Sequence, residues 1–129
     1  VPLAGPANRM GRMAADNIFG KERVFKGTYG VSIVRSFNLY AGCVGLNEKM
    51  LVAKNIPYSC VHLHPNSHAG YYPGASKVHL KLIFDPKTGK IYGAQAVGND
   101  GIEKRIDVIA TAMQGSLTVE DLAELELSY

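Results

Sequence analysis

The stretch from 77 to 97 constrains the fold more than any other part of the chain. The apolar residues Val78, Leu80, Leu82 and Phe84 alternate with Lys77, His79 and Lys81, which predicts a strand with one buried face. Residues 85–89 have the composition of a tight turn. A partner strand then runs over 91–97, where Gly93 indicates close packing or a bulge. A hairpin of this kind belongs to an antiparallel sheet.

Helical spacing and strand alternation predict the remaining elements. Helices are expected over 6–19, 46–55, 101–114 and 122–125, and strands over 31–35, 37–40 and 57–64. The expected N-cap residues are Asn47, Asp100 and Thr118, and Gly20 and Gly115 are expected to end helices. The third helix has a stripe of apolar residues at Ile102, Ile106, Ile109 and Met113. This order favours an α+β fold, with an antiparallel sheet and helices packed on one face.

Composition excludes several classes of protein. The chain has 129 residues, of which 47% are hydrophobic, so one domain with its own core is expected. No apolar run reaches the ~18 residues of a membrane span. The net charge of +3 is scattered along the chain, whereas nucleic-acid binding usually needs a denser basic stripe. Neither a nucleic-acid partner nor a membrane is therefore expected.

The two cysteines favour a reducing compartment. Cys43 and Cys60 form no CxxC motif, so a redox dithiol or a structural zinc site is not expected. Two inert thiols fit better than one disulfide, although a disulfide stays open. The first six residues lack the charged lead and apolar core of a signal peptide. A cytoplasmic protein is the expectation.

The candidate functional residues lie in one Pro- and Gly-rich loop over 65–75. Tyr71 and Tyr72 are able to present phenol groups to a ligand or another subunit, since a phenol donates a proton without being charged at neutral pH. From residue types alone, the alternative that these rings cover the edge of the core is stronger. The metal hypothesis for His62, His64 and His68 is weak, because Pro65 breaks the helix that would align the last two. No metal site is predicted.

Several runs of the sequence resemble one known enzyme family. The N-terminal run over 3–18 resembles the FAD-contacting segment of the pyridine nucleotide-disulfide oxidoreductases, in the branch with a single redox cysteine. The rest resembles the C-terminal dimerisation domain of coenzyme A-disulfide reductases, NADH oxidases and persulfide reductases. The runs that carry this likeness are 45–49, 64–75, 82–86, 93–98, 104–112 and 122–127, and the match over 64–75 is the most specific.

The resemblance implies a fragment of a larger enzyme that uses FAD and NAD(P)H. Residues 1–20 would end the FAD-binding domain, and 21–129 would form a dimerisation domain truncated at its C-terminus. The flavin and nicotinamide domains and the redox cysteine would precede this chain. The isolated chain is therefore not expected to catalyse hydride transfer or to hold a cofactor tightly.

The resemblance also implies roles for individual residues. Leu3 and Ala4 match positions near the flavin pyrimidine ring. Tyr71 and Tyr129 match tyrosines that reach toward the partner subunit's cysteine and substrate sulfur in a homodimer, and Tyr72 is adjacent to Tyr71. Asn8 and Arg9 match positions near the substrate entrance.

The electron acceptor stays open at the sequence level. A disulfide such as that of coenzyme A, a persulfide, oxygen and a peroxide are all reduced on this framework. Tyr129 stands near the place where glutathione-type reductases have a His-Glu pair, which favours the single-cysteine branch. The alternative functions are an NADH oxidase or peroxidase of the same family, and a homodimerisation module without catalysis.

Overall fold

The computed structural model describes residues 3–128, and the chain divides after Gly30 into two compact units. The elements are α1 (Ala4–Ile18), β1 (Ser32–Ser36), β2 (Leu39–Gly45), α2 (Glu48–Ala53), β3 (Ser59–Leu63), β4 (Val78–Phe84), β5 (Ile91–Gly98), α3 (Ile102–Gln114) and α4 (Val119–Ala123).

The first unit is built on helix α1. The helix begins at Ala4, two residues before the predicted start, with Leu3 as its N-cap. Pro6 is tolerated inside the first turn because the first N–H that bonds within the helix belongs to Ala7, which donates to the Leu3 carbonyl at 3.0 Å. The predicted end is confirmed: Gly20 adopts φ +85°, and the next N–H bonds back into the last turn.

The segment after α1 folds back on the end of that helix. Asp16 forms ion pairs with Lys21 at 2.9 Å and Arg23 at 3.3 Å. The Asn17 side chain accepts from the Arg23 N–H at 2.8 Å and donates to the Arg23 carbonyl at 3.0 Å. No residue of α1 is buried, so the helix has an apolar side that its own unit leaves uncovered.

The second unit contains a five-stranded sheet in the order β1-β2-β5-β4-β3, and every neighbouring pair is antiparallel. The predicted hairpin is formed by β4 and β5. Strand β5 is the central strand and β4 lies next to it, with Leu82 opposite Ala94. The α+β class with an antiparallel sheet is therefore confirmed.

Helix α3 forms the main core with one face of the sheet. All four residues of its predicted apolar stripe are buried, as predicted. They join a cluster of small and aliphatic strand residues, Val44, Val78, Leu82, Ala94 and Ala96. A Cβ on Gly42 would lie 2.9 Å from Ile106, so the helix approaches β2 closely. Burying each large aliphatic side chain contributes about 1.5–3 kcal/mol.

Helix α2 lies against the opposite face of the sheet. Its Glu48 carboxylate pairs with Lys81 and lies 3.9 Å from the Cys60 thiol. Lys81 lies between Leu80 and Leu82, which pack in the α3 core, so alternation along the strand places Lys81 on the other face. Leu51 of α2 and Ile83 of β4 are fully buried. The predicted cap is confirmed, since the Asn47 side chain accepts from the Met50 N–H at 2.9 Å.

Two sequence predictions, for residues 37–40 and for Asp100, were wrong in detail. Residues 37–40 were expected as a strand, but Phe37 has φ +52° and forms the turn between β1 and β2, which pair from Ser36 and Leu39 onward. Asp100 does not cap α3: the cap is Gly101, with φ +69° and no side-chain bond.

The last helix occupies Val119–Ala123 rather than 122–125. Thr118 is its N-cap, as predicted, and forms a capping box with Asp121, so the helix begins directly after its cap. Helix α3 ends before Gly115 as expected, although the left-handed residue is Ser116, with φ +59°.

Two glycines permit a close backbone contact between β2 and β5. Gly45 pairs with Gly93 across β2 and β5 and has φ +72°. A Cβ on Gly45 would overlap the Tyr92 carbonyl oxygen, and a Cβ on Gly93 would overlap the carbonyls of Val44 and Leu46. The predicted close packing at Gly93 is confirmed.

The turn between β4 and β5 is organised by one carboxylate. Asp85 accepts from the N–H groups of Lys87 at 2.7 Å and Thr88 at 3.1 Å, and from the Tyr92 hydroxyl at 2.8 Å. The Lys87 N–H is the largest cause of a lowered pKa of Asp85, followed by the Tyr92 hydroxyl. The same bond raises the pKa of Tyr92.

We predict that Gly45→Ala lowers the free energy of unfolding by about 2 kcal/mol or more, because alanine strains the left-handed backbone and overlaps Tyr92. Urea unfolding measures the change. Gly5→Ala is the control, since a Cβ there meets nothing within 4 Å. Equal stability of the two variants would contradict the packing described for Gly45.

We predict that Asp85 makes the fold sensitive to acid. Its pKa is lowered in the folded state, so its stabilising contribution is complete above about pH 5 and is lost as the pH falls below about 4. Asp85→Asn removes this titration. The difference in free energy of unfolding between the parent protein and this variant, which we call the stability gap, should therefore become smaller as the pH falls. Unfolding curves from pH 6 to 2 measure the gap, with Asp107→Asn as control. A constant gap across this range would disprove the prediction.

Candidate functional site

The predicted long loop joins β3 to β4, and we call residues 65–77 the tyrosine loop. It contains no regular element apart from one bridge between Asn66 and Lys77. The side chains of Tyr71 and Tyr72 are 81% and 68% exposed. Rings with this exposure do not cover the core of the second unit, so the simpler alternative from the sequence does not explain them.

The two ends of the tyrosine loop are tied together at its base. The Val78 N–H donates to the Pro65 carbonyl at 2.9 Å, and the Ser67 N–H donates to the Ser76 carbonyl at 2.8 Å. The Ser67 hydroxyl also accepts from the Ser76 N–H at 3.2 Å. Ser67 is only 6% exposed. The base is therefore held by three hydrogen bonds beneath an exposed tip.

Helix α3 adds a second anchor to this base. One guanidinium nitrogen of Arg105 donates to the Ser67 carbonyl at 2.8 Å and to the Asn66 carbonyl at 3.3 Å. The sequence did not single out Arg105, because the two partners lie 38 and 39 positions earlier in the chain. No local pattern reveals a contact at that separation.

His68 braces the inside of the tyrosine loop. Its Nε2 lies 3.3 Å from the Pro73 carbonyl, which only accepts, so Nε2 carries the proton. Its Nδ1 then accepts from the Ser67 hydroxyl at 3.2 Å in the neutral ring. The Asp100 carboxylate is 3.9 Å from the same nitrogen, and the Tyr72 ring packs edge-on at 6.2 Å between centroids. His68 is thus a structural part of the loop.

The other candidate histidines lie on the sheet. His64, directly after β3, meets His79 of β4 with their Nδ1 atoms 2.9 Å apart, so one ring donates and the other accepts. His62 pairs with Lys81 in the register of the same strands. Among residues 3–128, no three His, Cys, Asp or Glu side chains form a group able to hold a metal ion.

The candidate cofactor and substrate residues lie at the start of α1. Leu3 is the N-cap, without a side-chain cap bond, and Ala4 opens the helix. Asn8 donates to the Ala4 carbonyl at 3.0 Å, and Arg9 is exposed. A shallow depression runs beside this end of α1, lined by Ala4, Ala7, Asn8, Gly11 and Arg12.

The uncapped start of α1 suits an electron-rich partner. The first turn contains no acidic residue, and the N–H groups of Ala4 and Gly5 precede the first hydrogen bond within the helix. A helix start of this kind favours a negative or electron-rich atom nearby. The flavin contact that the resemblance implies for Leu3 and Ala4 stays a prediction. Tyr129, the second catalytic candidate, lies outside the described residues.

Comparison with known proteins gives a family match over most of the chain. Residues 31–127 match the family described as "Pyridine nucleotide-disulphide oxidoreductase, dimerisation domain". A coenzyme A disulfide reductase of Staphylococcus haemolyticus is 40% identical over the whole chain, which spans 29% of that relative. The chain is thus well under half the length of this curated relative.

Solved structures agree with that match. The reduced CoADR-RHD protein of Bacillus anthracis is 58% identical, with a TM-score of 0.96, and the chain covers 23% of it. An NAD-dependent persulfide reductase from A. fulgidus is 37% identical, also with a TM-score of 0.96, and the chain covers 24% of it. In both cases the similarity extends over 100% of this chain. None of the helices described over 3–128 has the length and apolar character of a membrane span.

We predict that Ser67→Ala loosens the base of the tyrosine loop. The substitution removes the acceptor of the Ser76 N–H, which costs about 1 kcal/mol and raises local opening about fivefold. Amide hydrogen exchange at Ser76 measures this change. Ser36→Ala, at the end of β1, is the matched control. Unchanged exchange at Ser76 would show that the Ser67 hydroxyl does not hold the base.

Proposed function

The chain belongs to the dimerisation-domain family of the pyridine nucleotide-disulphide oxidoreductases, and from this premise we propose that it completes the active site of a partner subunit. The enzyme would be a homodimeric, FAD-dependent and NAD(P)H-linked reductase of disulfides, of the coenzyme A-disulfide type. Residues 1–20 would end its FAD-binding domain, and 21–129 would form the dimerisation domain. Catalysis would require the intact dimer.

The tyrosine loop carries this proposal. Its base is fixed by backbone bonds and by Arg105, while Tyr71 at its tip is 81% exposed. A bulky aromatic side chain held outward on an anchored loop is suited to contact a second molecule. In a homodimer that second molecule is the other subunit, which would receive the phenol in its site.

A phenol suits the chemistry of sulfur reduction. When bound, FAD would accept a hydride from NAD(P)H and pass electrons to a cysteine sulfur of the partner. Attack of that cysteine thiolate on a substrate disulfide forms one S–S bond and breaks another, and the leaving sulfur departs as a thiolate. The Tyr71 hydroxyl would donate a hydrogen bond or proton to this sulfur. We assign the same task to Tyr129.

The first unit would supply the flavin contact. No side chain caps the N–H groups at the start of α1, and the helix dipole is positive at this end. Leu3 and Ala4 would place these groups against the electron-rich edge of the flavin pyrimidine ring and stabilise its negative charge after reduction. Asn8 and Arg9 lie one turn further along the helix, where we propose that they face the substrate entrance.

A persulfide is the second candidate substrate. It is favoured by the 37% identity to the persulfide reductase, which extends over the whole chain. A persulfide also presents an S–S bond to the cysteine, so the role of Tyr71 is the same. An NADH oxidase or peroxidase, or a dimerisation module without catalysis, are the remaining alternatives. Assay of the full-length protein with coenzyme A disulfide, a persulfide, oxygen and peroxide separates these alternatives.

We predict that Tyr71→Phe, alone and together with Tyr129→Phe, slows sulfur reduction by the full-length enzyme at least about tenfold, because the proton donor is lost. Flavin reduction by NAD(P)H should change less than about twofold, since that step uses other groups. Stopped-flow absorbance measures the two half-reactions separately. Tyr72→Phe is the matched control, and its sulfur reduction should stay near the parent rate. Equal loss in both half-reactions would contradict the assigned role.

A further inference from the structure

The orientation of the exposed tyrosine rings must be set by something other than packing around the rings. At 81% and 68% exposure, Tyr71 and Tyr72 have few contacts within their own unit to hold them. The backbone of the tyrosine loop must therefore decide where the phenols point. A displacement of about 1 Å at a reacting group costs up to about a hundredfold in rate, so the rigidity of that backbone bears directly on catalysis.

Arg105 connects the tyrosine loop to the most firmly packed helix of the domain. Its neighbour Ile106 is 2% exposed and Ile102 is fully buried, so α3 is fixed to the sheet at this turn. From there the half-buried guanidinium donates to the carbonyls of Ser67 and Asn66. A charged donor makes stronger bonds to a carbonyl than a neutral one. The position of the helix is thereby transmitted to the base of the loop.

The start of α3 is shaped to admit this side chain. Gly101 precedes the helix with φ +69°, and a Cβ on it would lie 2.8 Å from the Arg105 guanidinium. The Ser67 carbonyl lies 3.7 Å from the same Cβ position. Glycine at 101 therefore leaves space for the guanidinium beside the loop.

We propose that Arg105 is a positioning residue for sulfur reduction: it fixes the backbone at Asn66 and Ser67 so that Tyr71 is aimed into the partner subunit's site. This inference rests on the function proposed above. Arg105 touches neither substrate nor flavin in this account, and it acts only through the loop. Its removal should therefore lower kcat for the acceptor and leave the KM of the acceptor and the rate of flavin reduction nearly unchanged.

The test is a double-mutant cycle in the full-length homodimer with its flavin bound. Arg105→Met, Tyr71→Phe and the double variant are compared in acceptor turnover and in flavin reduction by NAD(P)H. Arg105→Met is expected to lower kcat about tenfold, and the double variant is expected to be no slower than Tyr71→Phe alone, because both changes remove the same aimed phenol. Arg105→Lys keeps one charged donor and should restore part of the rate.

The matched control is Arg35→Met. Arg35 also donates to a backbone carbonyl of a turn, that of Phe37 at 2.9 Å, but it lies on β1, away from the tyrosine loop. Its kcat should stay within about twofold of the parent. If Arg105→Met fails to fold, Arg105→Lys replaces it in the cycle, with a smaller loss expected and the same lack of additivity.

The outcomes separate the two proposals. If Tyr71→Phe slows sulfur reduction but Arg105→Met does not, or if their effects multiply in the double variant, the role of Arg105 is overturned and the function of Tyr71 stands. If Tyr71→Phe leaves sulfur reduction unchanged, the proposed function of the loop fails, and the role of Arg105 fails with it.

Discussion

The packing of α3 against the sheet is the constraint on which the second unit depends. Three isoleucines of the helix meet a strand surface made of Gly42, Ala94 and other small residues, and these small residues allow the helix to approach closely. The same contact fixes the start of α3 and, with it, the Arg105 side chain that holds the tyrosine loop. Packing in the core therefore fixes the base of the tyrosine loop through Arg105.

Local signals predicted the elements whose patterns are strong. The alternation over 78–84 and the turn after it predict the central hairpin, because a strand with one buried face has an apolar residue at every second position. The caps at Asn47 and Thr118 were predicted because their bonds span only three residues. The apolar stripe of α3 was equally clear, since helical spacing marks one face.

Other features depend on contacts that the sequence does not reveal. Phe37 adopts a left-handed turn that a bulky residue rarely takes, whereas its apolar character predicts a strand. The pairing of Glu48 with Lys81 joins residues 33 positions apart, and the Arg105 contacts span a greater separation. For the site, the loop and its tyrosines were visible in the sequence, while their exposure and anchoring required the fold.

The chain would contribute structure and proton donors rather than electrons. The measurement that tests this most directly is subunit complementation in the full-length enzyme, with one subunit carrying Tyr71→Phe and Tyr129→Phe and the other lacking the redox cysteine. If each tyrosine acts on the partner's cysteine, the heterodimer holds one intact site and recovers about half of the parent activity. Activity no higher than that of the two variant homodimers would contradict the account.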